Sequence, residues 1–345
     1  MWSGQARNIR QAVPVWAVAC LCCALAVWVG WIGFLGSDDA LYAEAARAWL
    51  EHGPTLGSSH WSLRLPIVLP VAASFSVFGI GEFSLILPTL IYALVVGILF
   101  VFIARAALGW RDSLFAVLPF VTAPIFAQSA SIPGIDLTEL AFDVASIYLL
   151  VLALNASERR IPLLLSGVFA GLAYMSRETS IFLAVGYGVL FLTGFRMDRR
   201  QYLYIVAGFL LVAGTEMAVY YFLTGSPFYR LNISFHHDEV NRNISKGLFD
   251  GAGNLHTGSI LDPFLMLFLN KDFGILFWLA VPATIWFVRA RTVPRLARDG
   301  LLVFAVVGLA WMLSVCVLAA KLYLLTRYFL VPFAAAALLI GAWLA

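Results

Sequence analysis

The chain has 345 residues, 62% of them hydrophobic and only 12% charged. That balance excludes an ordinary soluble domain and requires a polytopic membrane protein. Its net charge of +3 comes without any Lys/Arg-rich tract, which excludes a nucleic-acid surface. Cys20, Cys22, Cys23 and Cys316 all fall in apolar runs, where they act as small hydrophobes and outline neither a disulfide framework nor a metal cluster.

Arg7 and Arg10 precede the first apolar run, 13–35. It is too long for a signal-peptide core and lacks a small-residue cleavage site, so it is expected to stay as the first membrane helix. Next comes GSDDALYAEAARAWLEHG, 36–53. Asp38 and Asp39 open an expected helix in which Tyr42, Ala45, Ala46, Trp49 and Leu50 recur at i, i+3, i+4, i+7 and i+8. One apolar face results, suited to lying along the membrane interface. Acids in a first turn also complement the helix dipole, so a capping role competes with a chemical one for this pair. The apolar stretch 65–81 is short and carries Pro66 and Pro70, features of a juxtamembrane or re-entrant helix.

Further spans are expected at 84–103, 114–130, 137–154, 161–174, 179–192, 202–223, 273–288, 301–320 and 327–344. With the first they make ten crossings of an all-α bundle. Basic clusters at Arg105/Arg111, Arg159/Arg160, Arg196/Arg199/Arg200 and Arg289/Arg291/Arg295/Arg298 join Arg7 and Arg10 on the inner side, by the positive-inside rule. This parity holds only if 65–81 does not cross. Two outer loops, 36–82 and 224–272, then hold most of the acids. The whole reads as a single transmembrane domain, and its end within the last apolar run suggests a shortened form.

On the outer side Asp136 follows a SIPG turn, with Glu139 and Asp143 at i+3 and i+7, so all three share one helix face. Asp143 stands about 10 Å deeper than Asp136 and is expected to be a structural partner. Glu216, late in its helix, is expected to pair within the bundle. Arg64, Arg177, Arg242, Lys321 and Arg327 also fall outside, against the usual charge bias. An anion such as phosphate would hold guanidinium groups there, and snorkelling to headgroups is the plainer account of any single one. His236, His237, Asp238 and Glu239 read as a solvated loop, with His256 nearby. No phosphate-loop or dinucleotide motif occurs on any loop.

These residues carry a resemblance. Asp38-Asp39-x-x-Tyr42-Ala43, Arg64-Leu65-Pro66-Ile67 ahead of VFGIGE, Asp136 six residues before Phe142, GLAYMSRE at 171–178 and RYFLVPF at 327–333 together resemble the GT-C glycosyltransferases. The bacterial members similar to protein O-mannosyltransferases and to lipid A aminoarabinose transferases are the nearest in pattern. The resemblance implies an inverting transfer of a sugar from a polyprenyl phosphate to a lipid, glycan or protein acceptor. It also implies a bacterial plasma membrane, with the chemistry on its outer side.

By the same resemblance Asp38 takes the place of the family's catalytic acid, Asp39 stands where Glu is usual, and Asp136 falls on the second acid. Arg64 stands for the Lys of Lys-Pro-Pro, and Arg177 for the Lys of Leu-Thr-Lys-Gly. Expected catalytic residues are thus Asp38, Asp39 and Asp136, with Arg64, Arg177 and Arg327 on the donor phosphate. Tyr42, His60, Arg242 and His256 are further loop candidates. A divalent ion on Asp39, Asp136 and Glu139 is an added option. A transporter or flippase is the rival class, although no internal repeat between the halves is evident.

Overall fold

The computed structural model describes residues 2–54, 56–234, 261–290, 295–318 and 324–345. Its elements are α1 (Trp2–Val29), α2 (Asp38–His52), α3 (Leu65–Phe78), α4 (Glu82–Leu108), α5 (Leu114–Val121), α6 (Pro124–Ser131), α7 (Asp136–Asn155), α8 (Arg160–Ser176), α9 (Phe182–Thr193) and α10 (Arg199–Thr224). After a helical turn at 229–234 come α11 (Asp262–Leu269), α12 (Leu276–Arg289), α13 (Arg295–Leu318) and α14 (Leu330–Leu344). Single turns of 3₁₀ helix, Glu178–Ile181 and Thr326–Phe329, lead into α9 and α14. The described residues hold no strand, as the apolar helical runs require: in lipid, backbone groups must be satisfied within a segment.

Among the described residues six helices are long and apolar enough to cross a membrane, and α5 with α6, bent by 56°, makes a seventh if the pair is taken as one span. The bend falls where Pro124 starts α6, since proline cannot continue the preceding hydrogen-bond ladder. Three shorter segments connect the same two faces. One is α8, which runs from Arg159, held against the carbonyl of Arg196, to Arg177 beside Asp136. The 3₁₀ turn and α9 return from there to Leu192, whose carbonyl accepts from Arg199. The third, α12, leads from the Asp272 region, bonded to Thr326, to Arg289. Counted with the six or seven spans, these segments give a number of passing elements among the described residues that is compatible with the ten expected.

The fourth short apolar helix, α3, does not run the length of the bundle. At its start the carbonyl of Pro66 accepts from Tyr92, the eleventh residue of α4. Its end leads into Glu82, which accepts the backbone N–H of Phe34 beyond α1. Thus α3 folds back along only the first two-fifths of α4. The apolar face of α2 lies on it: Tyr42, Ala45 and Ala46 pack with Ile67, Val68, Val71, Ala72 and Phe75. The face expected to meet the membrane interface is instead covered by a neighbouring helix, and only Leu50 of that set is exposed.

At the centre, α14 is buried along most of its length, and Phe333 stacks on Phe120, itself stacked on Phe100. Helices α8 and α10 run parallel and touch backbone to backbone. A Cβ on Gly167 would stand 2.0 Å from the Ile205 carbonyl oxygen, and one on Gly208 2.1 Å from that of Leu164. Small residues permit this approach.

Candidate active site

The loop after α1 is organised by Asp39. One carboxylate oxygen accepts the backbone N–H groups of Leu35 and Gly36, and the other those of Ser37 (2.6 Å) and Ala40 (3.1 Å). The side chain is 2% exposed. An ionised carboxylate that accepts four amides is a strong local anchor, so it is Asp39, rather than Ser37 or Asp38, that satisfies amides at the start of α2. Of the roles expected for Asp39, this geometry is that of the helix start, its oxygens being occupied by backbone amides.

That anchor leaves its neighbour Asp38 free to project, and the Asp38 carboxylate accepts from Arg327 at 3.3 Å. Both side chains keep about a third of their surface exposed, 35% and 33%. Residues 289 apart in sequence are joined because α14 brings the 3₁₀ turn Thr326–Phe329 beside the start of α2.

Asp136, Glu139 and Arg177 form a buried triad. Arg177 donates to Asp136 at 2.6 Å and to Glu139 at 2.8 Å. The second oxygen of Glu139 accepts from Thr179 and Ser180, and the guanidinium lies 5.8 Å from the Tyr328 ring centre. Burial works against the Arg177 charge, but Glu139 and Asp136 outweigh it and raise its pKa well above the ordinary value. Asp143 is fully buried one turn below Glu139.

A second triad escaped the sequence reading. Arg230, in the turn at 229–234, donates to Glu216 at 2.8 Å and to Glu178 at 2.6 Å, and its guanidinium lies over Tyr174 at 4.8 Å. The signal was present in Glu216: an acid within a membrane helix demands a cation, and Arg230 follows 14 positions later. Glu216 does pair within the bundle.

Arg64 differs from both. It donates to the Tyr42 hydroxyl at 2.7 Å and makes no ion pair among the described residues, and its Nε is buried without a hydrogen bond. The Nε of Arg327 is likewise without one. Burial opposes the Arg64 charge, yet Tyr42 and Glu178 raise its pKa. For Tyr42 burial dominates and raises its pKa, against the lowering effect of Arg64. Two guanidiniums at this face are therefore saturated by carboxylates, and two have donors to spare. His60 stacks on Trp61 with ring centres 3.8 Å apart, while Arg242, His256 and Lys321 lie outside the described residues.

The three acids expected to share a metal do not converge: Asp39 is tied to amides, and Asp136 and Glu139 are bridged by Arg177. Among the described residues no group of three potential ligands forms. Between α8, α9 and α10 lies an apolar cavity of about 340 Å³ that begins at Ser180, beside Glu139, and runs past Leu183 and Tyr187 to Phe191.

Residues 56–220 match a family model described as dolichyl-phosphate-mannose-protein mannosyltransferase. No match is found among curated proteins. Among solved structures the chain is similar to ArnT from Cupriavidus metallidurans bound to undecaprenyl phosphate, with TM-score 0.72 and 16% identity over 96% of this chain and 59% of that one. It is also similar to the archaeal oligosaccharyltransferase AglB from Archaeoglobus fulgidus in complex with an inhibitory peptide and a dolichol-phosphate, with TM-score 0.59 and 14% identity over 96% of this chain and 49% of that one. The chain thus spans 59% and 49% of the lengths of these two proteins. The chain thus shares the fold of these two proteins, and its 56–220 segment matches the mannosyltransferase family model.

Proposed function

We propose that the chain transfers a sugar from a polyprenyl phosphate to an acceptor at the face that carries Asp38, with inversion at the anomeric carbon. The observation that carries this reading is the joining of Asp38 to Arg327, on the face where a second guanidinium, Arg64, makes no ion pair among the described residues and bonds to the Tyr42 hydroxyl. A carboxylate about one-third exposed beside under-used guanidiniums fits a base next to an anion site. Saturated Arg177 and Arg230 fit structural roles.

In this reading an acceptor hydroxyl gives its proton to Asp38 as its oxygen bonds to the anomeric carbon. The bond from that carbon to the phosphate oxygen breaks, and the electron pair leaves with the phosphate. Arg64 and Arg327 stabilise the charge that gathers there, so Arg327 moves from Asp38 toward the donor and releases the base. The apolar cavity from Ser180 to Phe191 suits a prenyl tail. The outer leaflet of a bacterial plasma membrane follows from the resemblance, the polyprenyl carrier from the undecaprenyl phosphate and dolichol-phosphate of the similar structures, and mannose as a candidate sugar from the description of the matching family model.

The test uses proteoliposomes with mannosyl and aminoarabinosyl undecaprenyl phosphate, each radiolabelled in the sugar. Asp38→Asn should retain folding and lose about 100-fold or more in transfer rate. Arg64→Ala and Arg327→Ala should weaken binding of undecaprenyl phosphate, with Lys restoring charge but not bidentate geometry. Wild-type rates in well-expressed Asp38→Asn would reject the base assignment.

A further inference from the structure

A second anion site stands on the opposite, arginine-rich face. Ser157, Glu158, Arg159, Arg160, Arg200 and Tyr204 are among the residues that line a polar cavity of about 590 Å³, walled on its inner side by Leu163. It lies where α8 and α10 begin. Because these helices run parallel and are in backbone contact at Gly167 and Gly208, their N-terminal ends emerge side by side. Two positive dipole ends therefore meet with three guanidiniums, and among the described residues Glu158 is the one acid lining the cavity.

Arg159 is held in place without being neutralised. It donates to the backbone carbonyls of Leu154, Ala156 and Arg196 and to the side-chain oxygen of Gln201, at 3.2–3.4 Å. All four acceptors are uncharged. Arg196 adds nothing to the excess, since Asp299 pairs with it at 2.8 Å. Arg160 and Arg200 are exposed and form no ion pair among the described residues. The bundle thus fixes one guanidinium and crowds two more beside it, an arrangement that repels itself unless an anion is present.

We propose that this cavity binds the phosphate of an anionic membrane lipid, with Arg159 as the fixed cation and Arg160 and Arg200 closing over the headgroup. A lipid suits the site better than a soluble phosphate because Tyr204, half-buried on a helix long and apolar enough to cross a membrane, lines the cavity and leads from it toward the apolar span. Basic pockets between membrane helices are a recognised means of holding acidic headgroups. The site is independent of the chemistry proposed at Asp38.

The experiment is native mass spectrometry of the full chain in detergent, titrated with dioleoyl phosphatidylglycerol, dioleoyl phosphatidylcholine or inorganic phosphate. Phosphatidylglycerol should bind more tightly than phosphatidylcholine. The double variant Arg160→Gln/Arg200→Gln should weaken it about tenfold, for the loss of two charge-assisted contacts. Arg111→Gln/Arg289→Gln removes the same charge elsewhere in the basic clusters and should leave binding within about twofold of wild type. The proposal is overturned if the control pair weakens binding as much as the cavity pair, because the general positive field then suffices. It is also overturned if phosphatidylcholine binds equally well, or if inorganic phosphate competes at the same concentration as the lipid.

Discussion

At the scale of single residues, the adjacent acids Asp38 and Asp39 show how backbone geometry divides labour between identical side chains. Asp39 accepts four amides and Asp38 faces Arg327. Asp39→Asn sets an NH₂ group against amide donors and leaves part of the loop unsatisfied, an expected loss of about 1–3 kcal/mol. Melting in detergent should show it as a lower midpoint, whereas Asp38→Asn should melt like wild type. Equal melting of the two variants would contradict the division. Arg177 gives a parallel contrast with Arg64. Arg177→Gln leaves Asp136 and Glu139 without their shared cation, and breaking a buried pair costs about 3–5 kcal/mol, so poor folding is expected. Arg64→Gln removes no ion pair and should fold normally. The sequence showed that cations gather on this face; it did not show which of them were already neutralised, because that depends on side chains brought together across 38 to 289 positions.

At the scale of elements, hydropathy made the helices legible and left their partners hidden. The period in 42–50 identified the buried face of α2 correctly, yet Tyr42, Ala45 and Ala46 meet α3 and not lipid. An apolar stripe says that something covers it, without saying what. Pro66, Pro70 and the brevity of 65–81 marked this stretch as different, and the course of α3 along only the first two-fifths of α4 is compatible with that. The contact of α8 with α10 left only a weak mark, Gly167, Gly171 and Gly208 among other glycines in apolar runs. Backbone contact at Gly208 makes a direct prediction. Gly208→Ala would place a methyl group 2.1 Å from the Leu164 carbonyl oxygen, and since the obstacle is backbone, the helices must separate. Overpacking of this kind costs about 1–3 kcal/mol, seen as a lowered melting midpoint. Gly214→Ala, on the same helix with open space around it, is the matched control and should cost nothing measurable. A melting midpoint for Gly208→Ala equal to that of the control would show that the helices do not touch as described.

At the scale of the whole molecule, charge separates onto two ends of the bundle, and one helix decides whether that separation is consistent. Asp38, Glu82, Asp136, Arg177 and Arg327 occupy one end; Arg159, Arg196 and Asp299 occupy the other. If α3 crossed the membrane, every basic cluster after it would change sides and the positive-inside bias would be reversed. Its 14 residues span about 21 Å, short of a hydrocarbon core of about 30 Å. Length alone does not exclude a crossing, because α12, also of 14 residues, does connect the two faces. What separates the two is where their ends are held: both ends of α3 lie on the Asp38 side, by Pro66 with Tyr92 and Glu82 with Phe34, whereas the ends of α12 do not share a side. Single cysteines at Gly53, Glu82 and Glu158, in a chain whose four native cysteines are replaced by alanine, test this in intact spheroplasts with an impermeant maleimide. Gly53 and Glu82 should label together and Glu158 should label only after lysis. Labelling that divides Gly53 from Glu82 would mean that α3 crosses, and it would place the two cations of the proposed phosphate site at odds with the fold that joins them.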